Sequence, residues 1–453
     1  MCGIVGVFNQ QYAAEYAARC LYAEQHRGQE SCGIAVSDSN TIRLEKQMGL
    51  VKDVFTPEVL ETLPGNIAIG HVRYPTRGSA TATNTQPHVV ELLSGPSYAL
   101  ASNGDIVNYF DIRRQLEAKG VWFKSNNDGE LILKYIVHQI EKEGKEIASA
   151  IKSMMKEVRG AYSAVLMTRN ELYMFRDPYG FRPMSWGKLV DDSVVVASET
   201  CALDILDTRN VQVVHPGEII VVSERGIKHI NLDVSKYRNT DTNRHCIFEH
   251  IYFSRPDSFD FEEDVYVVRQ KIGELLAEDD HDLKPDLIVP VPDSSNFIAQ
   301  GYAEAKKMHV TYGLIRNHYV GRTFIKPDQK IRDESVRQKF NTLAHLFKDK
   351  VVVLIDDSIV RGTTIRSIIK LILNAGAKEV HLRIGSPQVK FACYYGIDTP
   401  NKEDLIANKK TIEEIREYLN VTSYKHIDIK TLKKSVGKPD NFCYACFDGK
   451  YPL

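Results

Sequence analysis

Val351-Val-Val-Leu-Ile-Asp-Asp-Ser-Ile-Val-Arg-Gly-Thr-Thr364 decides how the second half of this chain folds. Its five leading apolar residues, mostly β-branched, suit a parallel strand covered on both faces. Asp356 and Asp357 then stand at the carboxyl end of that strand, where an open α/β sheet binds its ligands. Paired carboxylates there can hold ribose hydroxyls or a hydrated Mg²⁺. Gly362, Thr363 and Thr364 follow with backbone N–H groups and hydroxyls where the next helix begins, a cradle for phosphate. Outward from this stretch, 287–291 and 380–384 read as further strands and 294–307 and 363–375 as helices, a doubly wound α/β texture.

The first half is built differently. Short alternating runs at 66–71, 97–102, 161–168, 194–198 and 218–222 read as strands of mainly antiparallel sheets. Apolar spacings of three and four mark helices at 13–24, 108–119, 128–141 and 147–156, so two sheets between helical layers are expected. The polar stretch 224–244 reads as a connector. At 453 residues the chain exceeds the size at which one core stops growing, and two domains, 2–235 and 245–453, are expected.

Cys2 directly follows the initiator, and removal of Met1 would place its thiol next to its own α-amine. That amine titrates near ~8 and a thiol near ~8.5, so a nucleophile with a built-in base needs no histidine. With 58 Lys+Arg against 59 Asp+Glu, no general field attracts nucleic acid or an acidic membrane. No apolar run reaches the ~18 residues of a membrane span, and the start carries no secretory pattern, so a cytoplasmic location is expected. The eight cysteines are then thiols, metal ligands or core residues rather than disulfides.

Six blocks in the first half carry a resemblance: Cys2-Gly-Ile-Val-Gly6, His26-Arg-Gly-Gln-Glu30, Gly70-His-Val-Arg-Tyr74, Asn84-Thr-Gln-Pro87, Ser102-Asn-Gly104 and Asn127-Asp-Gly-Glu130. The second half adds Val289-Pro-Val-Pro-Asp-Ser294, Tyr319-Val-Gly-Arg-Thr-Phe324, the stretch 351–364 and Cys443-Tyr-Ala-Cys446. Together they resemble the amidophosphoribosyltransferases, in the iron–sulfur-containing form. The resemblance implies an αββα N-terminal-nucleophile glutaminase sandwich followed by a doubly wound phosphoribosyltransferase domain. It implies that glutamine hydrolysis at Cys2 supplies ammonia, which displaces pyrophosphate from phosphoribosylpyrophosphate (PRPP) to give 5-phosphoribosylamine, the first step of purine synthesis.

Residue roles follow from the same resemblance. Asn103 and the Gly104 N–H would form the oxyanion hole, although Asn-Gly after a strand otherwise reads as a hairpin turn. Arg73 would clamp the glutamine carboxylate and Asp128 its ammonium, against the alternatives of a surface cation and a helix N-cap. Asp356, Asp357, Ser358, Arg361, Gly362, Thr363 and Thr364 would hold PRPP, with Ser294, Asp356 and Asp357 at a Mg²⁺ site; N-capping is the competing role for Ser294. Arg322 and Lys326 belong to a cationic stretch, 317–341, expected to act as a lid. Ser102 and Gly129 depart from the family, which often shows His and Thr or Ser at these places.

Cys443-x-x-Cys446 has a spacing suited to zinc or iron–sulfur, and Cys246 and Cys393 are candidates for the other two ligands. The resemblance implies a structural [4Fe–4S] cluster on these four. It also suggests feedback inhibition by purine nucleotides and a homotetramer or dimer. The segment 252–257 joins the halves and, with the lid, is a candidate switch. An alternative reading is a PRPP- or nucleotide-sensing regulator with an inactive glutaminase half, which would release neither glutamate nor pyrophosphate.

Overall fold

The computed structural model describes residues 1–74, 81–236, 242–319, 338–399 and 402–453. In the first half, one sheet has seven strands in the order Arg209–Val213, Ser185–Lys188, Val194–Ala197, Gly3–Phe8, Ile67–Arg73, Ser31–Ser37 and Ile42–Met48. A second has six, in the order Gly226–Asn231, Glu218–Ser223, Leu172–Arg176, Gly160–Met167, Gly95–Ile106 and His88–Leu92. Alternation along each strand sends one set of side chains inward, and Ile4, Ile69, Ala101, Val165 and Trp186 share the cluster between the sheets. Helix Ala13–Ala23 covers the outer face of the first sheet, burying Leu21 with Val72. Helices Tyr109–Ala118, Asp128–Glu143 and Ile147–Glu157 cover the second. The αββα layering expected from the sequence is present.

The second half centres on four parallel strands, Leu287–Pro290, Val351–Asp356, Glu379–Ile384 and Ser423–His426. Val353 and Ile355 pack with Ile298 and Tyr302 of helix Asn296–Ala305, while Val352 and Leu354 pack with Ile368 and Ile372 of helix Thr363–Asn374. Full burial of each such side chain contributes about 1.5–3 kcal/mol. This two-sided cover anchors the strand whose end carries Asp356 and Asp357.

One reading of the sequence needs correction and one alternative falls away. The stretch 224–244 is not wholly a connector, because Gly226–Asn231 pairs antiparallel with Glu218–Ser223 along six registered residues. It is an edge strand with mostly exposed side chains, so the apolar alternation that marks a strand is missing there. Asn103-Gly104 is not a turn, since both residues lie inside the long strand Gly95–Ile106, opposite Ser163 and Tyr162. Among the described residues, no helix is long and apolar enough to cross a membrane.

Candidate active site

Cys2 immediately precedes the central strand Gly3–Phe8 and is only 5% exposed. Its backbone N–H donates to Asn103 Oδ1 at 3.2 Å, and its thiol lies 3.6 Å from the Tyr74 carbonyl oxygen. Its own carbonyl accepts from Arg27 Nε at 2.9 Å. Asn103 is fully buried, yet its Nδ2 has no partner among the described residues. Leaving such a buried donor unmade costs about 1–3 kcal/mol, which points to a group that binds there. Gly104 is obligatory, because a Cβ would lie 1.8 Å from the Ala161 oxygen.

Arg73 is not a surface cation. It is buried at the end of strand Ile67–Arg73 and forms an ion pair with Glu30. Burial pushes the Glu30 carboxyl up, and Arg73 pulls part of that back. Burial and then the Arg73 charge hold His71 down to about 3, so it is neutral and does not compete as a cation. Asp128 is not the N-cap of helix Asp128–Glu143. That role falls to Asn127, which accepts from the Gly129 N–H at 2.9 Å, while Asp128 Oδ2 accepts from the Ile106 N–H at 2.8 Å. Ser102 and Gly129, the two departures from the family, face one side chain. A Cβ on Gly129 would come 2.4 Å from Gln86 Oε1 and 2.9 Å from Ser102 Oγ, and Gln86 Oε1 accepts from the Ser102 N–H at 2.8 Å.

A buried charge network behind Cys2 escaped the sequence reading. Arg27 pairs with Glu199 from the first half and, at 3.0 Å, with Glu249 from the second; Arg182 reaches the same Glu249 at 3.3 Å. Burial pushes Glu199 up, but His26 and Arg27 outweigh it and hold the carboxyl well below its usual range. The joining segment 252–257 enters this region, with the Arg255 N–H donating to Glu199 at 2.8 Å and Phe253 meeting Tyr74 edge-on at 6.3 Å. Arg27 lies in the quoted block 26–30. Nothing local in the sequence tells that its partner is Glu249.

The second site lies at the end of strand Val351–Asp356. Ser294 Oγ donates to Asp357 Oδ1 at 2.5 Å, Ser358 Oγ to Asp357 Oδ2 at 2.6 Å, and Ser295 Oγ to Asp356 Oδ1 at 3.2 Å. Ser294 is therefore not a cap: the cap position of helix Asn296–Ala305 is Ser295, which makes no side-chain capping bond. Burial and then the Asp357 charge push the Asp356 carboxyl well up, and burial raises Asp357 against the pull of Ser294 and Ser358. Two acids driven towards neutrality in one place suit a cation. Gly362, with φ +77, caps helix Thr363–Asn374 and turns the backbone of 362–364 into the helix start. Arg361 lies 4.0 Å from Asp404. Arg322 and Lys326, with most of the lid stretch, lie outside the described residues.

Cys246 and Cys443 sit opposite each other in a two-residue parallel pairing, and Cys393 and Cys446 are near enough for each thiol to feel the others. Burial pushes Cys246 up to about 11 while Arg182 pulls against it. All eight cysteines are free, and among the described residues no group of three or more His, Cys, Asp or Glu side chains is placed to hold a metal ion. Cys20 and Cys32 are buried in the core of the first sheet and its helix.

The glutamine amidotransferase domain pattern matches residues 71–204, and the phosphoribosyl transferase domain pattern matches residues 265–416. The chain is 44% identical to amidophosphoribosyltransferase 1, chloroplastic, of Arabidopsis thaliana, spanning 100% of this chain and 78% of that protein. It is equally 44% identical to the amidophosphoribosyltransferase of Methanocaldococcus jannaschii, spanning 100% and 98%. The chain belongs to the amidophosphoribosyltransferases. A solved structure of the B. subtilis glutamine PRPP amidotransferase, complexed with ADP and GMP, matches with a TM-score of 0.91 at 37% identity, covering 100% of this chain and 97% of that one. As an amidophosphoribosyltransferase, the protein is a glutamine-dependent transferase of purine biosynthesis. Its two substrates are glutamine and PRPP, which accords with the two separate sites described above.

Proposed function

We propose that Cys2, freed of Met1, is the glutaminase nucleophile. Its sulfur attacks the glutamine amide carbon, with the proton passing to the α-amine and then to the departing nitrogen. The C–N bond breaks, ammonia leaves, and water cleaves the resulting thioester to glutamate. Asn103 Nδ2 and the Gly104 N–H stabilise the charge on the amide oxygen, Arg73 holds the substrate carboxylate, and Asp128 its ammonium. The observation that carries this reading is the unpartnered Nδ2 of buried Asn103 beside Cys2. Asn103→Ala is expected to lower kcat for glutamine hydrolysis by about 10²–10³-fold, with a much smaller change in KM. A kcat within threefold of the parent, in steady-state assays of released glutamate, would refute the oxyanion assignment.

At the second site, Ser294, Asp356 and Asp357 would hold Mg²⁺, which neutralises the pyrophosphate as it leaves. Asp356 and Asp357 would also hold the ribose hydroxyls and Ser358 and Arg361 to Thr364 the 5′-phosphate, with Arg322 and Lys326 as candidate partners of the diphosphate. Ammonia attacks C1 of PRPP and the C1–O bond to pyrophosphate breaks, giving 5-phosphoribosylamine. The segments 2–235 and 245–453 form the two domains, a division supported by the separate sheets and cores.

The family resemblance assigns Cys246, Cys393, Cys443 and Cys446, whose thiols influence one another, to a [4Fe–4S] cluster. Its role is structural, since neither reaction transfers electrons. Purine nucleotides act as inhibitors through the phosphate and ribose grips, a reading supported by the ADP and GMP named with the B. subtilis structure. The enzyme works in the cytoplasm as a homotetramer or dimer.

A further inference from the structure

Gly396 and Gly104 meet across the two halves of the chain. Gly396 has φ +103, and a Cβ built there would stand 3.0 Å from the Gly104 carbonyl carbon, 3.1 Å from its Cα and 3.3 Å from its oxygen. Gly104 also backs onto Ala161, whose oxygen a Cβ would approach to 1.8 Å. The Gly104 backbone is therefore held between strand Gly160–Met167 and the turn 393–396, with no side chain as a cushion.

Three contacts fix that turn. The Tyr395 carbonyl accepts from Arg182 Nε at 2.9 Å, and the Tyr395 N–H donates to Cys393 Sγ at 3.3 Å. The Tyr395 ring stacks on Phe181 with centroids 4.3 Å apart and planes inclined by 19°. Ala161, Phe181 and Tyr395 form one small buried cluster, and Cys393 and Cys443 pack against it. The packing of the four-cysteine region is thus continuous with the backbone that presents Gly104.

We infer that Tyr395 and Gly396 are positioning residues for the Gly104 N–H. The inference rests on the reading of Asn103 and Gly104 as oxyanion donors. Such donors act over a window of about 2.7–3.1 Å, so a shift of a few tenths of an ångström at Gly104 weakens them. The Arg182 bond to the Tyr395 carbonyl and the stack on Phe181 restrain the turn that presses on Gly104.

Gly396→Ala drives a methyl into the Gly104 peptide. It is expected to lower kcat for glutamine hydrolysis about 10–100-fold, with KM within about twofold. Gly396→Asn adds the same Cβ but tolerates positive φ better, so a matching loss assigns the effect to contact rather than backbone strain. Without glutamine, amide hydrogen exchange over residues 100–106 is expected to be faster in Gly396→Ala than in the parent. Equal exchange in variant and parent would overturn the inference, as would kcat within threefold of the parent in both Gly396 variants. If Asn103→Ala loses turnover while both Gly396 variants keep it, the oxyanion reading stands and this inference alone fails; unchanged turnover in Asn103→Ala would overturn both.

Discussion

Cys2→Ala is expected to reduce glutamine-dependent formation of 5-phosphoribosylamine by about 10⁴-fold or more, while transfer from added free ammonia stays within about twofold. The size of the effect follows from the position of the sulfur. Cys2 is held by Asn103, Tyr74 and Arg27. The oxyanion donors then have no attacking atom to serve, and residual hydrolysis falls to what binding and polarisation alone supply. The second site shares no side chain with the first, so ammonia from solution is used as before. Parallel assays with glutamine and with ammonium salts check this. Equal losses with both nitrogen sources would mean that Cys2 serves the fold rather than the chemistry.

Asp357→Asn is the complementary expectation. Asparagine keeps the shape of the side chain; of Ser294 and Ser358, which now donate to the two carboxylate oxygens at 2.5 and 2.6 Å, one can still donate to the amide oxygen while the other accepts from the amide NH₂. It removes the charge that makes this a cation site. Transfer to PRPP is expected to fall on the order of 10³-fold with either nitrogen source, because the metal-neutralised leaving group loses several kcal/mol of stabilisation. Basal glutamine hydrolysis, measured without PRPP, is expected to stay within about threefold. The rise in Tm that Mg²⁺ and PRPP give the parent is expected to vanish in the variant, by ligand linkage. A variant that keeps this rise and its transfer rate would place the cation elsewhere.

Much of this organisation is legible in the residues themselves, because local chemistry and fold agree. The stretch 351–364 reads correctly since a doubly buried strand must be continuously apolar, and the acids can only follow where the strand leaves the core. The layers of the first half read correctly because apolar alternation reports which face is buried. Where the reading failed, the physics was not local. Gly226–Asn231 pairs through its backbone at a sheet edge and needs no apolar pattern. Asn103-Gly104 has the composition of a hairpin but is kept extended by strand Gly160–Met167 on its flank. The pairing of Arg27 with Glu249 and the contact of Gly396 with Gly104 depend on how the two halves come together, and no window of sequence contains both partners. Asn127 rather than Asp128 caps its helix, an exchange between neighbours that propensity does not resolve.

The central claim is that nitrogen released at Cys2 reaches PRPP within the protein. Incubating the enzyme with glutamine labelled with ¹⁵N at the amide, PRPP, Mg²⁺ and an excess of unlabelled ammonium tests it directly by the isotope content of the trapped 5-phosphoribosylamine. An internal route leaves the product nitrogen almost wholly ¹⁵N, with glutamate and pyrophosphate formed in equal amounts. Product labelled only to the level of the ammonium in solution would contradict a shared, sealed passage between the two sites.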